Sequence, residues 1–196
     1  VRLLDVEPPV FNLFVEWLYT QQLPQSCHAY DSVTYQKGEV VGDDNDMLKI
    51  KLYVLADRLM VLSLRRALNR TIVNEFESDY PLLWRYQPII YAYNNLRTTD
   101  PLLDLFVDRH YMAGAEECDG YDNWELIDDL PLDFLLRFYK RVGIGRNSGR
   151  GHAAGIFNMD FCSYHEHDSD ADRILCDRKG KSCPKKALLR RPVDDE

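Results

Sequence analysis

A helical spacing of apolar residues is the feature that most restricts what this chain can fold into. Val10, Leu13, Phe14, Trp17 and Leu18 stand at i, i+3, i+4, i+7 and i+8, one face of an amphipathic helix. Pro8 and Pro9 precede them, where a missing N–H costs nothing at a helix start, and Pro24 stops the run. Leu48, Leu52, Leu55, Ala56 and Leu59 repeat the spacing, with Lys49, Lys51, Asp57 and Arg58 assigned to the outside. Asp43 to Asp46 supply a cap and negative charge for that second helix. Leu64, Ala67, Leu68 and Ile72 mark a third, ending near Phe76.

The pattern continues. From Pro81 to Leu96, Leu82, Leu83, Tyr86, Ile89, Ile90 and Tyr93 are helically spaced, with Pro88 expected to break the helix in two or kink it. Asp100-Pro101 reads as a cap and first helical residue before Leu102, Leu103, Phe106, Val107, His110 and Tyr111. Leu130 to Asp133 open one more helix, with Phe134, Leu135, Phe138, Tyr139 and Val142 expected inward. Val1 to Val6 is strand-like, and Gln25 to Asp46 and Gly114 to Asn123 read as loops. The fold class is therefore mainly α, a short strand followed by helices.

Five glycines between Gly143 and Gly155 (143, 145, 149, 151 and 155) mark a flexible linker. The expected organisation is a domain over 1–77, a helical extension over 78–142, a linker over 143–155 and a polar Cys/His tail over 156–196.

Composition narrows the function. The 196 residues are 45% hydrophobic and 29% charged, which excludes wholesale disorder. A net charge of −8 argues against a nucleic-acid backbone as partner. No apolar run approaches the roughly 18 residues of a membrane span. Cys27, Cys118, Cys162, Cys176 and Cys183 are odd in number and unevenly spread, unlike a secreted disulfide scaffold. They read as reduced thiols of a cytoplasmic or nuclear protein. The start at Val1 reads as that of a fragment.

Enzyme motifs do not assemble. Gly180-Lys181-Ser182 lacks the earlier glycine of a phosphate-binding loop, with Leu175 in its place. Gly149-x-Gly151-x-x-Ala154 follows a polar linker rather than a strand. His165-Glu166-His167 is not the helical zinc-protease spacing. Asn69-Arg70-Thr71 is a formal glycosylation sequon inside an expected helix and carries no weight. The sequence predicts a non-enzymatic protein.

Two stretches carry a resemblance. Pro9-Val10-Phe11-Asn12-Leu13-Phe14-Val15-Glu16-Trp17-Leu18-Tyr19-Thr20 is the first. Leu48-Lys49-Ile50-Lys51-Leu52-Tyr53-Val54-Leu55-Ala56-Asp57-Arg58-Leu59, then Leu62, Leu64 and Ala67-Leu68, is the second. Together they resemble the C-terminal half of a BTB/POZ domain. The closing Cys162-x-Tyr164-His165-x-His167 is in the style of fungal members. The resemblance covers about 1–77, and 78–142 only as generic helices. It implies protein binding by homo- or hetero-oligomerisation, and recruitment to a cullin-type ubiquitin ligase or a transcription complex, with no nucleic-acid or membrane partner. The family's first half is absent. Phe14, Trp17, Leu52, Leu55 and Leu59 are therefore expected to leave an exposed apolar patch on the order of several hundred Å².

The tail supplies a second line of argument. Cys162-x2-His165-x-His167-x8-Cys176-x6-Cys183 offers thiolate and imidazole donors enough for a tetrahedral structural zinc site. The expected ligands are Cys162, His165, Cys176 and Cys183, with His167 as the alternate to His165. The competing reading is a disordered polar tail. The alternative function is that of a small helical zinc-binding regulator acting through this tail.

Overall fold

The computed structural model describes residues 6–34, 45–77, 86–113, 124–147 and 160–180. The protein is mainly helical, and no strand occurs among the described residues. Of the expected strand at Val1 to Val6, only Val6 is described, and it lies in a bend. The expected loop at Gly114 to Asn123 lies outside the described residues.

Helix α1 (Pro8–Thr20) opens with its two prolines and closes at Gln21, whose backbone is left-handed at φ 55° and whose N–H returns to Trp17 O at 2.8 Å. Helix α2 (Cys27–Thr34) lies in the stretch expected to be loop. Its inward residues are Tyr30, Val33 and Thr34, and it packs on α1. Helices α3 (Asn45–Arg58) and α4 (Leu62–Glu77) meet at a turn centred on Met60, φ 57°. There Val61 N–H reaches Ala56 O at 2.9 Å and Met60 N–H reaches Asp57 O at 3.0 Å. This is the Schellman closure, with methionine where glycine usually stands.

Helix α3 is the centre of the body. Helices α1, α4 and α5 (Tyr86–Asn95) pack around it, so every residue from Leu48 to Ala56 except Lys51 is buried. Helix α5 runs through Pro88 to Asn95; the expected helical stretch before Tyr86, from Pro81, lies outside the described residues. Helix α6 (Pro101–Ala113) begins as expected, with Leu102 N–H donating to Asp100 Oδ1 at 3.0 Å. A 3₁₀ turn (Trp124–Asp129) leads into α7 (Leu132–Asn147), which packs on α6. Helix α7 runs through the first five residues of the expected linker; residues 148–159 lie outside the described residues. Phe161–Tyr164 forms a second 3₁₀ turn, and α8 (Asp170–Gly180) follows.

One hydrophobic core runs from Val10 through Phe134 to Tyr164. Phe14, Trp17, Leu52 and Leu55 lie inside it, so the expected open patch on these residues is not there. Helix α2, unanticipated, packs on the helix that carries Phe14 and Trp17. Leu18 is 48% exposed, turned away from the face that buries Leu13, Phe14 and Trp17, and Leu59, just past the end of α3, is 39% exposed. Lys49 is buried rather than outside; its ammonium pairs with Asp46 at 3.2 Å and Glu75 at 2.7 Å and lies over the Tyr30 ring. On α7, Phe134 is buried and Phe138 half-buried, whereas Leu135 and Tyr139 face out. No described helix is long and apolar enough to cross a membrane.

Candidate metal centre

The tail expected to be disordered or zinc-bound is laid against the body over 160–180. Asp160 starts the 3₁₀ turn, with Ser163 N–H and Oγ–H both donating to Asp160 O, at 2.8 and 2.7 Å. At His165 the backbone turns extended, φ −74° and ψ 141°. Successive side chains of an extended segment point to opposite sides. Tyr164 and Glu166 meet the helical body, while His165 and His167 meet cysteines.

On the cysteine side, His165 Nδ1 is 3.1 Å from Cys176 Sγ, and His167 Nε2 is 3.3 Å from Cys162 Sγ. Ligand atoms of Cys162, His167 and Cys176 all lie within 4.8 Å of one another. Neither Cys162 nor Cys176 is in a disulfide, and both are partly buried. The two imidazoles stand edge to face, centroids 5.9 Å apart. Burial, with His167 and Arg70 beside it, pushes the His165 imidazole down to about 4, so the ring is neutral at pH 7 and keeps a lone pair for a ligand.

Ser169 starts α8 by accepting from Asp172 N–H at 3.2 Å. Asp172 then sits in the first turn, 3.5 Å from His167 Nδ1 and 3.3 Å from the Arg70 guanidinium. The Asp168 amide beside it, ahead of Arg70, holds its carboxyl below the usual range.

The body side is polar and interlocked. Asn69, fully buried in α4, donates from Nδ2 to Tyr164 O at 2.9 Å and accepts at Oδ1 from Glu166 N–H at 2.9 Å. Glu166 Oε1 lies 2.6 Å from the Arg65 guanidinium and accepts from the Tyr53 hydroxyl. Arg65 also pairs with Asp100 Oδ2 at 2.7 Å and donates to Tyr53 Oη at 3.0 Å. The Tyr164 hydroxyl donates to Asp108, which also pairs with Arg141 of α7. Arg66 pairs with Asp168. Burial pushes the carboxyls of Asp100, Asp108 and Glu166 up, against the pull of their arginine and tyrosine partners.

Of the expected ligands, the fold brings Cys162 and Cys176 together with His167, the alternate, while His165 lies against Cys176 but outside that group. Cys183 lies outside the described residues, and so does Cys118. Sequence reasoning missed Tyr53, Arg65, Asn69, Asp100 and Asp108 as the seat of the tail. Their one legible signal was an asparagine and an arginine embedded in the apolar stripe of α4. Two thiols and two imidazoles in one place are a donor set that can hold a cation. Comparison with protein-family models, with curated proteins and with solved structures returned no match for this chain.

Proposed function

We propose that this chain is a non-enzymatic protein-interaction module of the BTB/POZ type that self-associates through the outer face of α7. The supporting observation is a stripe of Leu132, Leu135, Leu136 and Tyr139 at i, i+3, i+4 and i+7, all exposed, Tyr139 at 77%. The opposite side of the helix is already committed. Phe134 and Phe138 face the core, and Arg137 and Arg141 pair with Asp104 at 3.0 Å and with Asp108. An amphipathic helix with its core face filled and a second apolar stripe outside is built to dock on another surface. A cullin-type ubiquitin ligase or a transcription complex, in the cytoplasm or nucleus, is the setting that the family resemblance suggests for such a module.

Sedimentation of the full chain over a range of concentrations tests this. The expected result is a monomer–dimer equilibrium that Leu136→Asp and Tyr139→Asp both shift to monomer while the helical circular dichroism is unchanged. A parent chain that stays monomeric at the highest concentration, or variants that associate as it does, would overturn the reading.

The second reading is a small helical zinc-binding regulator acting through its tail. The convergence of Cys162, His167 and Cys176 favours it, and it is compatible with the first.

A further inference from the structure

We propose, deepening the zinc-binding reading above, that Cys162, His165, His167 and Cys176 form a tetrahedral site for a soft divalent cation of the zinc class, and that this metal cross-links the 160–180 segment to itself in the shape that seats Tyr164 and Glu166 on α3, α4 and α6.

The donor chemistry comes first. Two thiols and two imidazoles are the ligand set of structural zinc sites. With Zn–S near 2.3 Å and Zn–N near 2.0–2.1 Å, tetrahedral ligand atoms stand about 3.3–3.8 Å apart. His167 Nε2 to Cys162 Sγ is 3.3 Å and His165 Nδ1 to Cys176 Sγ is 3.1 Å. Cys162, His167 and Cys176 already hold their ligand atoms within 4.8 Å of one another, and His165, outside that group, completes the four by turning from Cys176 toward the other two. His167 would bind through Nε2, which leaves Nδ1–H facing Asp172 Oδ2 at 3.5 Å. A carboxylate behind a ligating histidine fixes the ring's tautomer and orientation. His165 would bind through Nδ1, with its other nitrogen buried inside the protein.

The second argument concerns what else could hold α8. The helix has 11 residues, too few for stability by propensity alone. Its apolar side chains Ile174 and Leu175 are more than half exposed, so they contribute little burial. Helix α8 packs on the second 3₁₀ turn, and its polar links include Cys176 with His165 and Asp172 with Arg70, His167 and the Asp168 N–H. The Arg70–Asp172 pair is solvent-exposed and screened, so it holds α8 only weakly. A metal joining Cys176 to Cys162, His165 and His167 supplies the missing cross-link.

The third argument is the alternation at 164–167. The ligands His165 and His167 flank Glu166, the residue that sits on Arg65 and Tyr53. Fixing both histidines in one metal site also fixes the side chain between them. The cluster and the polar seat on the body are thus two sides of one short strip of chain, and the metal would hold that strip in the conformation that reaches both.

The test uses the full chain with its thiols kept reduced. Titration with cobalt(II) should give the thiolate charge-transfer and intense visible bands of a tetrahedral site. Zinc should displace the cobalt and reach about one equivalent per chain. Cys162→Ser, Cys176→Ser, His165→Gln and His167→Gln should each abolish or alter that spectrum, while Cys27→Ser should leave it as it is. Hydrogen exchange supplies the second readout. Chelation should speed exchange over 160–180 and leave α3 unchanged, which separates loss of the staple from loss of the fold. Uptake below about a tenth of an equivalent, a Cys162–Cys176 disulfide in place of metal, a tetrahedral spectrum untouched in any one of the four ligand variants, or exchange over 160–180 indifferent to chelation would overturn the proposal.

Discussion

The side-chain amide of Asn69 donates to the backbone carbonyl of Tyr164 at 2.9 Å, tying together residues 95 positions apart. Its oxygen accepts the Glu166 N–H at the same distance. One buried asparagine thus satisfies a donor and an acceptor of a segment that has no strand partner.

Asn69→Ala should therefore cost more than an ordinary surface change. It strands a buried carbonyl and a backbone N–H, each at about 1–3 kcal/mol if water cannot reach it. Urea unfolding should lose about 2–4 kcal/mol, and exchange should quicken first at 164–167. A loss no larger than about 0.5 kcal/mol would mean that the segment is anchored elsewhere.

Trp17 and Leu18 are neighbours in sequence with opposite fates. Trp17 is 5% exposed and Leu18 48%. Trp17→Ala should cost about 3–5 kcal/mol, and Leu18→Ala should stay within about 0.5 kcal/mol. Thermal melts of the two variants decide it, and equal shifts would contradict the orientation of α1.

Met60 holds a left-handed backbone at φ 57° with its side chain 81% exposed. Such a residue carries roughly 1–2 kcal/mol of conformational cost that glycine avoids, partly offset by the greater freedom of glycine when unfolded. Met60→Gly should stabilise the chain by a fraction of that, read as a higher urea midpoint with unchanged slope. A lower midpoint would show that Met60 makes contacts which outweigh the strain.

Acid should not weaken the Asp100 seat. Burial raises the Asp100 carboxyl above its ordinary value despite Arg65 and the Leu102 amide. The folded state then binds the proton more tightly than the unfolded state. This contribution is fully present below the ordinary aspartate range and is lost as pH rises through the raised value. Lowering the pH from neutrality toward the ordinary aspartate range should move the parent's urea midpoint upward relative to Asp100→Asn. A parent that falls behind the variant would place the carboxyl on the other side of its ordinary value.

The stripes of α1, α4 and α6 were legible because each helix presents one face to the core, and spacing reads one face well. Helix α3 shows the limit. Surrounded by three helices, it buries Ile50, Tyr53 and Val54 as well as the expected leucines, and no single period marks a helix buried all round. Lys49 was misplaced for a related reason: a lysine reads as solvent-facing until Asp46 and a glutamate 26 residues away close on it. Helix α2 offered few apolar positions, with Tyr30 and Val33 the apolar ones among its described side chains that join the core. The Cys/His spacing showed which residues could become ligands. It could not show that Tyr164 and Glu166, interleaved with them, reach α3, α4 and α6, because those partners depend on the finished body.

The distance along the chain between Asn69 and the segment it holds also has a consequence in time. At about 5–20 residues per second of synthesis, the 95 residues between Asn69 and Tyr164 take roughly 5–20 seconds to emerge. Through that interval Asn69, Arg65 and Tyr53 can already be in place on their helices while their cover has not yet been made. The seat therefore spends seconds as a wet, polar recess on a half-built protein. Water can satisfy its groups there, so the nascent body has no need to bury an orphaned amide before the last segment arrives to replace that water.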